Sequence, residues 1–512
     1  MAEGRVMIAA TGSGSGKTII SCALMRALKN RGLNVLPYKC GPDYIDPMYH
    51  RIALNLGVQA MDNMGRIAPG GNLDTYFTND DKTVQLLYEG GYVAAYDEAD
   101  DQAVDGNGQS DIAVIEGVMG LYDGLGGTSV TGSSYELATV LKTSIILIVP
   151  AKGVGRSVLA TIKGFLDYDE HKLIKGIILN RINKMYYVKL KQLIEDELGI
   201  TVIGYVPDDD RLHIGSRHLG LMTPTDAGKP DVDSDMGRIC GSATVNAEAG
   251  ETYMTHVSQV ISTACEIISD SIDMDSLIAI AEGAEKLTVP AIEQPGTLTD
   301  SDLSASMAES SGISAPISLF HMNRKITKMA IAMDEAFCFY YRENLRYLKS
   351  LGIKLIPFSP LHDEYLPEGV DAIYLGGGYP EEYLDKLSTN KTMKAAVKTA
   401  ADNNVYIIAE CGGFMYLQEA IEDKQGRSYK MTGVIPGRCK WQGKLTRFGY
   451  VRLNTQDTEI KGHEFHYYDS DCNGEDIKVI KASTGKEYTA MYDNDKMLAG
   501  FVHLYYSSVK EI

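Results

Sequence analysis

Short apolar runs rich in β-branched residues alternate with stretches of helical spacing along most of the chain. Val6 to Ala10 predicts a strand, Thr11 to Gly16 a glycine loop, Lys17 to Lys29 a helix and Asn34 to Tyr38 a second strand. Further strands are expected at Ile112 to Ile115, Ser144 to Val149, Gly176 to Leu179 and Val202 to Val206. A β-loop-α-β opening followed by alternating elements predicts an α/β fold on a parallel sheet. Two segments lack periodicity, near 97–110 and 223–252, and read as insertions. Helical spacing returns over Val257 to Lys286.

Thr288 to Ile317 is rich in Pro, Ser and Thr and reads as a linker. A second α/β unit then begins, with strands at Ala330 to Ala332, Lys354 to Phe358 and Ala372 to Leu375 and a helix over Leu345 to Leu351. A fourth strand, Val405 to Ile408, precedes Cys411, and Thr432 to Tyr506 reads as β-rich. The expected division is a first domain at 1–286, a linker at 287–327 and a second domain at 328–512.

Composition narrows the function. A formal net charge of -19 argues against nucleic acid as a partner, because neutralising phosphates needs basic stripes, and none stands out. It leaves room for an anionic small molecule in a local basic pocket, for which Lys39, Lys152 and Arg156 are candidates. Eight cysteines without a C-x-x-C pair suggest neither a zinc site nor a disulfide framework, which suits a reducing cytoplasm. No apolar run is long enough for a signal segment or a membrane span.

The segment A-T-G-S-G-S-G-K-T at 10–18 is a phosphate loop in which Thr11 replaces the first glycine of the usual pattern. Gly12, Gly14 and Gly16 let N–H groups converge on phosphate oxygens, Lys17 reaches the terminal phosphates, and Thr18 can hold Mg²⁺. The loop therefore predicts nucleotide binding. Asp43 and Asp46 follow the second strand, and Glu116 ends the third, at the sheet edge where ligands bind in open α/β folds. Asp46 and Glu116 join Thr18 as candidate Mg²⁺ ligands.

In V-Y-I-I-A-E-C-G-G-F-M-Y-L, 405–417, an apolar strand runs into Cys411, two glycines and helical spacing. This is the layout of a nucleophile elbow. A helix N-terminus beside Cys411 is expected to lower the thiol pKa.

Several segments together resemble the cobyrinic acid a,c-diamide synthase family. They include K-C-G-P-D-Y-I-D-P (39–47), I-E-G-V-M-G-L-Y-D-G (115–124), S-R-H-L-G-L (216–221), G-G-G-Y-P-E (376–381), A-E-C-G-G-F-M-Y-L (409–417), G-H-E-F-H-Y (462–467) and V-H-L-Y (502–505). The resemblance implies a dethiobiotin-synthetase-like P-loop domain followed by a class I glutamine amidotransferase domain of flavodoxin-like fold. It further implies that Cys411 attacks glutamine, with His503 as its base and backbone near Gly377 and Gly412 as the oxyanion hole. In the first domain Mg-ATP would phosphorylate two carboxylates of a cobyrinate-type tetrapyrrole, and ammonia would displace phosphate. Asp43, Tyr44 and Asp123 match family loops that bind nucleotide, metal or substrate, and Arg217 and His218 are candidates for the substrate's carboxylates, with a structural ion pair as an equal alternative.

One departure stands out: His503-Leu-Tyr505 lacks the acid that usually follows the histidine by two. His463, Glu464 and His466 are candidate orienting partners, while Trp441 and Arg447 are read as packing residues. The motifs leave open a sister enzyme acting on Ni-sirohydrochlorin. A reading of another class, a P-loop switch with an inactive amidotransferase domain, is opposed by Cys411 and His503, and by Gly12 where partitioning-type ATPases carry a signature lysine. A homo-oligomer is left open.

Overall fold

The computed structural model describes residues 4–41, 45–54, 111–212, 216–217, 220–221, 248–285, 326–454 and 458–511. The chain separates into two compact units, Met1–Lys286 and Leu287–Ile512.

The first unit is built on a six-stranded parallel sheet. Its strands are β1 (Gly4–Ala10), β2 (Val35–Lys39), β3 (Ile112–Glu116), β4 (Ser144–Pro150), β5 (Ile174–Asn180) and β6 (Thr201–Val206), in the order β2-β3-β1-β4-β5-β6. All five residues of β3 are buried, as expected of a parallel strand covered on both faces. Helix α1 (Lys17–Asn30) lays Ile20, Leu24 and Leu28 on the sheet, among Val6, Ile8 and Val114. Helices α2 (Ile45–Leu54), α3 (Ser134–Val140), α4 (Val158–Tyr168) and α5 (Lys184–Leu198) alternate with the strands.

The connection leaving β1 runs to one side of the sheet and that leaving β4 to the other. A crevice therefore opens beyond their carboxyl ends, where open α/β sheets place ligands. Strands β7 (Ser216–Arg217) and β8 (Gly220–Leu221) pair as a short hairpin, and α6 (Glu248–Ser271) and α7 (Met274–Glu282) close the unit. Helix α6 begins at Glu248, inside the stretch expected to be aperiodic to 252. Residues 97–110, 223–247 and 287–325 lie outside the described residues.

The second unit has a six-stranded sheet in the order Lys354–Phe358, Lys328–Ala332, Ala372–Leu375, Tyr406–Glu410, Met497–Gly500 and Tyr492–Asp493. Strands β9 (Lys328–Ala332), β10 (Lys354–Phe358), β11 (Ala372–Leu375) and β12 (Tyr406–Glu410) are parallel, with α8 (Arg342–Ser350), α9 (Leu384–Thr389) and α10 (Lys391–Asp402) between them and α11 (Gly412–Leu417) after β12.

The β-rich segment does not form one body. Strands β13 (Gln418–Glu422), β14 (Ser428–Lys430), β15 (Ile435–Trp441) and β18 (Tyr468–Ser470) make one small sheet. Strands β16 (Arg447–Asn454), β17 (Thr458–His466), β19 (Ile477–Lys481), β20 (Glu487–Ala490) and β23 (His503–Glu511) make another. The chain then returns β21 (Tyr492–Asp493) and β22 (Met497–Gly500) to the central sheet, where β22 pairs with β12. That return carries the next strand, β23, to the site described below. No helix among the described residues is long and apolar enough to cross a membrane.

Candidate active sites

The phosphate loop of the first unit leaves β1 and enters α1 through Gly16, whose φ of 82° is left-handed backbone that glycine adopts without strain. Two side-chain contacts fix its shape. Ser15 Oγ donates to Gly12 O at 2.8 Å, and Asn180 Nδ2, at the end of β5, donates to Ser15 O at 2.8 Å. Lys17 is nearly buried, with Nζ 2.5 Å from Met119 O and 3.3 Å from Gly12 O. Burial lowers its pKa, against the pull of Glu116.

Behind the loop the structure brings Thr18, Asp46 and Glu116 together. Thr18 Oγ1 donates to Glu116 Oε1 at 2.9 Å and lies 3.3 Å from Asp46 Oδ1. Lys39, ending β2, bonds to Asp46 and to Glu116 Oε1 at 3.1 Å, and His50 Nε2 meets Glu116 Oε2 at 2.7 Å. Burial works against the charge on Glu116, but Lys39 and His50 outweigh it and hold the carboxyl well below its ordinary range. The hard oxygens of Thr18, Asp46 and Glu116 are a donor set that suits Mg²⁺. The ammonium of Lys39 lies against both carboxylates and would share them with the ion.

His50 and Asn180 were not legible as site residues. His50 follows Asp46 by four on α2, so one helical face presents both, and that spacing was the available signal. Asn180 carried no signal beyond its place at a strand end. Asp123 Oδ2 accepts from Gly120 N at 2.9 Å and shapes the loop after β3. Lys152 and Arg156 hold exposed ion pairs with Asp208 and Glu197. Asp43, Tyr44 and His218 fall outside the described residues, as does the side chain of Arg217 in β7.

In the second unit Cys411 stands between β12 and α11 with φ 46° and ψ −102°, a strained backbone for a residue with a Cβ. The turn is possible because its neighbours are glycines: a Cβ on Gly413 would lie 2.1 Å from Leu375 O. The expected lowering of the thiol pKa is not found. Burial pushes the Cys411 thiol well up, and the nearby carboxylates of Glu381, Glu410 and Glu464 add to the shift, whereas the Gly412 N–H at the sulfur opposes it. One N–H on a six-residue helix does not offset the loss of water.

His503 opens β23, just past the Glu410 and Gly500 pair of β12 and β22, and its ring lies near Glu410, the residue before Cys411. Its ring is clamped. Phe339 meets it edge-on with centroids 4.5 Å apart, and His463 stacks on it at 4.8 Å. On another side, a Cβ on Gly377 would come within 2.3 Å of His503 Cε1. Burial, with His463 and His466 nearby, drives the His503 pKa well down.

None of the three expected partners bonds to His503. His463 presents its face and bonds Tyr341 Oη through Nδ1 at 2.6 Å. Glu464 is taken by Tyr488 and Arg447, and His466 Nδ1 meets Tyr468 O at 2.6 Å. Trp441 stacks on Tyr467 with ring centroids 5.1 Å apart. The carboxylate facing His503 belongs to Glu410, the residue before the nucleophile, with Oε2 4.0 Å from His503 Nδ1.

Comparison with known proteins matches both domains. A family model for the CobQ/CobB/MinD/ParA nucleotide binding domain matches residues 6–221, and one for the CobB/CobQ-like glutamine amidotransferase domain matches 328–510. A cobyrinate a,c-diamide synthase of Caldanaerobacter subterraneus subsp. tengcongensis is 34% identical, covering 99% of this chain and 96% of that protein. The same enzyme of Listeria monocytogenes is 33% identical, covering 98% and 96%. That of Dehalococcoides mccartyi is 34% identical, covering 90% and 85%.

Proposed function

The chain belongs to the cobyrinate a,c-diamide synthase family of glutamine-dependent amidating ligases, and from that premise we propose that it amidates the a- and c-carboxylates of cobyrinate. Glutamine supplies the nitrogen and ATP the driving force. The observation that carries the reading is the strained Cys411 elbow, with His503 beside the residue that precedes it, in a chain that also holds a formed phosphate loop.

In the second unit the Cys411 thiol passes its proton to His503 and the sulfur attacks the carboxamide carbon of glutamine. Backbone N–H groups near Gly377 and Gly412 receive the developing oxyanion. The C–N bond breaks, the proton returns to the departing nitrogen, and water then releases glutamate from the thioester. Because the buried thiol resists ionisation and the buried imidazole resists protonation, the ion pair has to form in concert with substrate. A slow glutaminase in the absence of the other substrates is the natural result.

In the first unit N–H groups of the loop around Gly12, Gly14 and Gly16 hold the phosphates of ATP, and Lys17 faces the terminal ones. Thr18, Asp46 and Glu116 would hold Mg²⁺, which neutralises phosphate charge when bound. A carboxylate oxygen of the substrate attacks the γ-phosphorus and ADP leaves. Ammonia then adds to the acyl carbon and phosphate leaves, since hydroxide would leave poorly. Two rounds give the diamide.

The test is incubation of purified protein with Mg-ATP, glutamine and either cobyrinate or Ni-sirohydrochlorin, followed by mass measurement. Two carboxyl-to-amide exchanges on cobyrinate are expected. Exchange on Ni-sirohydrochlorin alone would reassign the substrate, and exchange on neither would remove the reading.

A further inference from the structure

The usual carboxylate two positions beyond the catalytic histidine is replaced by Tyr505, yet a carboxylate does reach His503 from another strand. Glu410 ends β12 and is 2% exposed. Its Oε1 is anchored on β23 by the Tyr506 hydroxyl at 3.2 Å and the Leu504 N–H at 3.5 Å. Its Oε2 lies 4.0 Å from His503 Nδ1. That nitrogen is a buried polar atom with no hydrogen-bond partner among the described residues, which is costly unless a partner arrives during the reaction. Phe339 and His463 hold the ring plane, and Gly377 leaves no room on a further side, so Nδ1 stays aimed at Glu410.

Resting on the glutaminase reading above, we infer that Glu410 is the positioning residue of His503, supplying from β12 the carboxylate missing after the histidine. When Cys411 Sγ gives its proton to His503 Nε2, the ring becomes a cation whose Nδ1–H closes on Glu410 Oε2. The contact is longer than a hydrogen bond at rest and shortens as the charges form. Without it the imidazolium would stand in a buried pocket where His463 and His466 disfavour its charge.

The surroundings give the idea a pH signature. Glu410 is faced by His503 and Tyr506 from β23, Tyr374 from β11, Tyr340 from the loop after β9, and Cys411 beside it. None of these brings a positive charge at rest, and burial raises the Glu410 carboxyl to about 8. The carboxyl is therefore protonated at neutral pH and must lose its proton to receive Nδ1–H. Glutamine hydrolysis should rise with pH through that value and fall away below it.

The experiment is kcat and KM for glutamine hydrolysis by the full chain, with Mg-ATP and tetrapyrrole present, from about pH 6 to about pH 9.5. Glu410→Gln is expected to lower kcat about 100-fold, to leave KM for glutamine within about twofold and to abolish the rising limb. Glu410→Asp, which keeps the acid on a shorter arm, is expected to recover part of kcat and a displaced limb. Wild-type kcat and limb in Glu410→Gln would overturn the inference. So would equal losses in the two variants with the limb unmoved, since that pattern marks packing alone. Cys411→Ala is run beside them: if it still hydrolyses glutamine, the glutaminase reading itself fails, a result separable from either outcome at Glu410.

Discussion

Lys39 and Glu116 lie 3.1 Å apart, Nζ to Oε1, and neither side chain is more than 3% exposed. Removing Lys39 leaves the buried carboxylates of Asp46 and Glu116 with only His50 and Thr18 as the partners described above, so Lys39→Met should destabilise the first unit by about 3 kcal/mol. Because the folded-state pKa of Glu116 is depressed, its contribution is present above the unfolded value of about 4.3 and fades as pH falls through the folded one. Urea unfolding should show the gap between wild type and variant narrowing below about pH 4. A gap constant from neutral to acid pH would contradict the pairing.

Lys17→Ala should lose ATP turnover and amide synthesis with either glutamine or ammonia as nitrogen source. The reason is that the lysine faces the terminal phosphates, upstream of both. Product formation and ADP release are the readouts, and unchanged synthesis would take the loop out of the mechanism.

Cys411→Ala should abolish synthesis from glutamine while synthesis from ammonium salts stays measurable. Loss of both in a folded protein would refute a two-site division of labour.

Gly377→Ala places a methyl group where His503 Cε1 now lies within 2.3 Å, and Phe339 and His463 leave the ring little room to withdraw. A displaced base about 1 Å from its working position is expected to cost about 100-fold in glutamine hydrolysis. Ammonia-dependent synthesis provides the control, and full glutaminase activity would show that His503 is not held as described.

Burial also makes Cys411 a reluctant thiolate. Iodoacetamide should label it in the resting protein more than about tenfold slower than it labels a free thiol near pH 8, with the rate climbing toward alkaline pH. Fast labelling at neutral pH would mean the sulfur is already ionised.

Much of this was readable from sequence because it is local. The β1 run, its glycines and the Lys-Thr pair fix the phosphate loop within a dozen neighbouring residues, and the strand predicted at Lys354 to Phe358 is found with the same ends. Cys411 was legible for the same reason, since the small residues around it have no other use. What escaped depends on strand order. Nothing in the β-rich segment says that Met497–Gly500 returns beside β12, and without that pairing Glu410 and His503 have no reason to be linked. The thiol pKa was misjudged because a sequence displays a helix start but not the depth at which it lies.

The return of β22 to the central sheet also sets an order of events in synthesis. Cys411 emerges well before His503, with most of two small sheets to be made between them, and contacts so distant along the chain close late. A nascent chain therefore carries Cys411 without His503 in place until strand β23 has been made and docked. On the function proposed above, glutamine hydrolysis would wait on that docking.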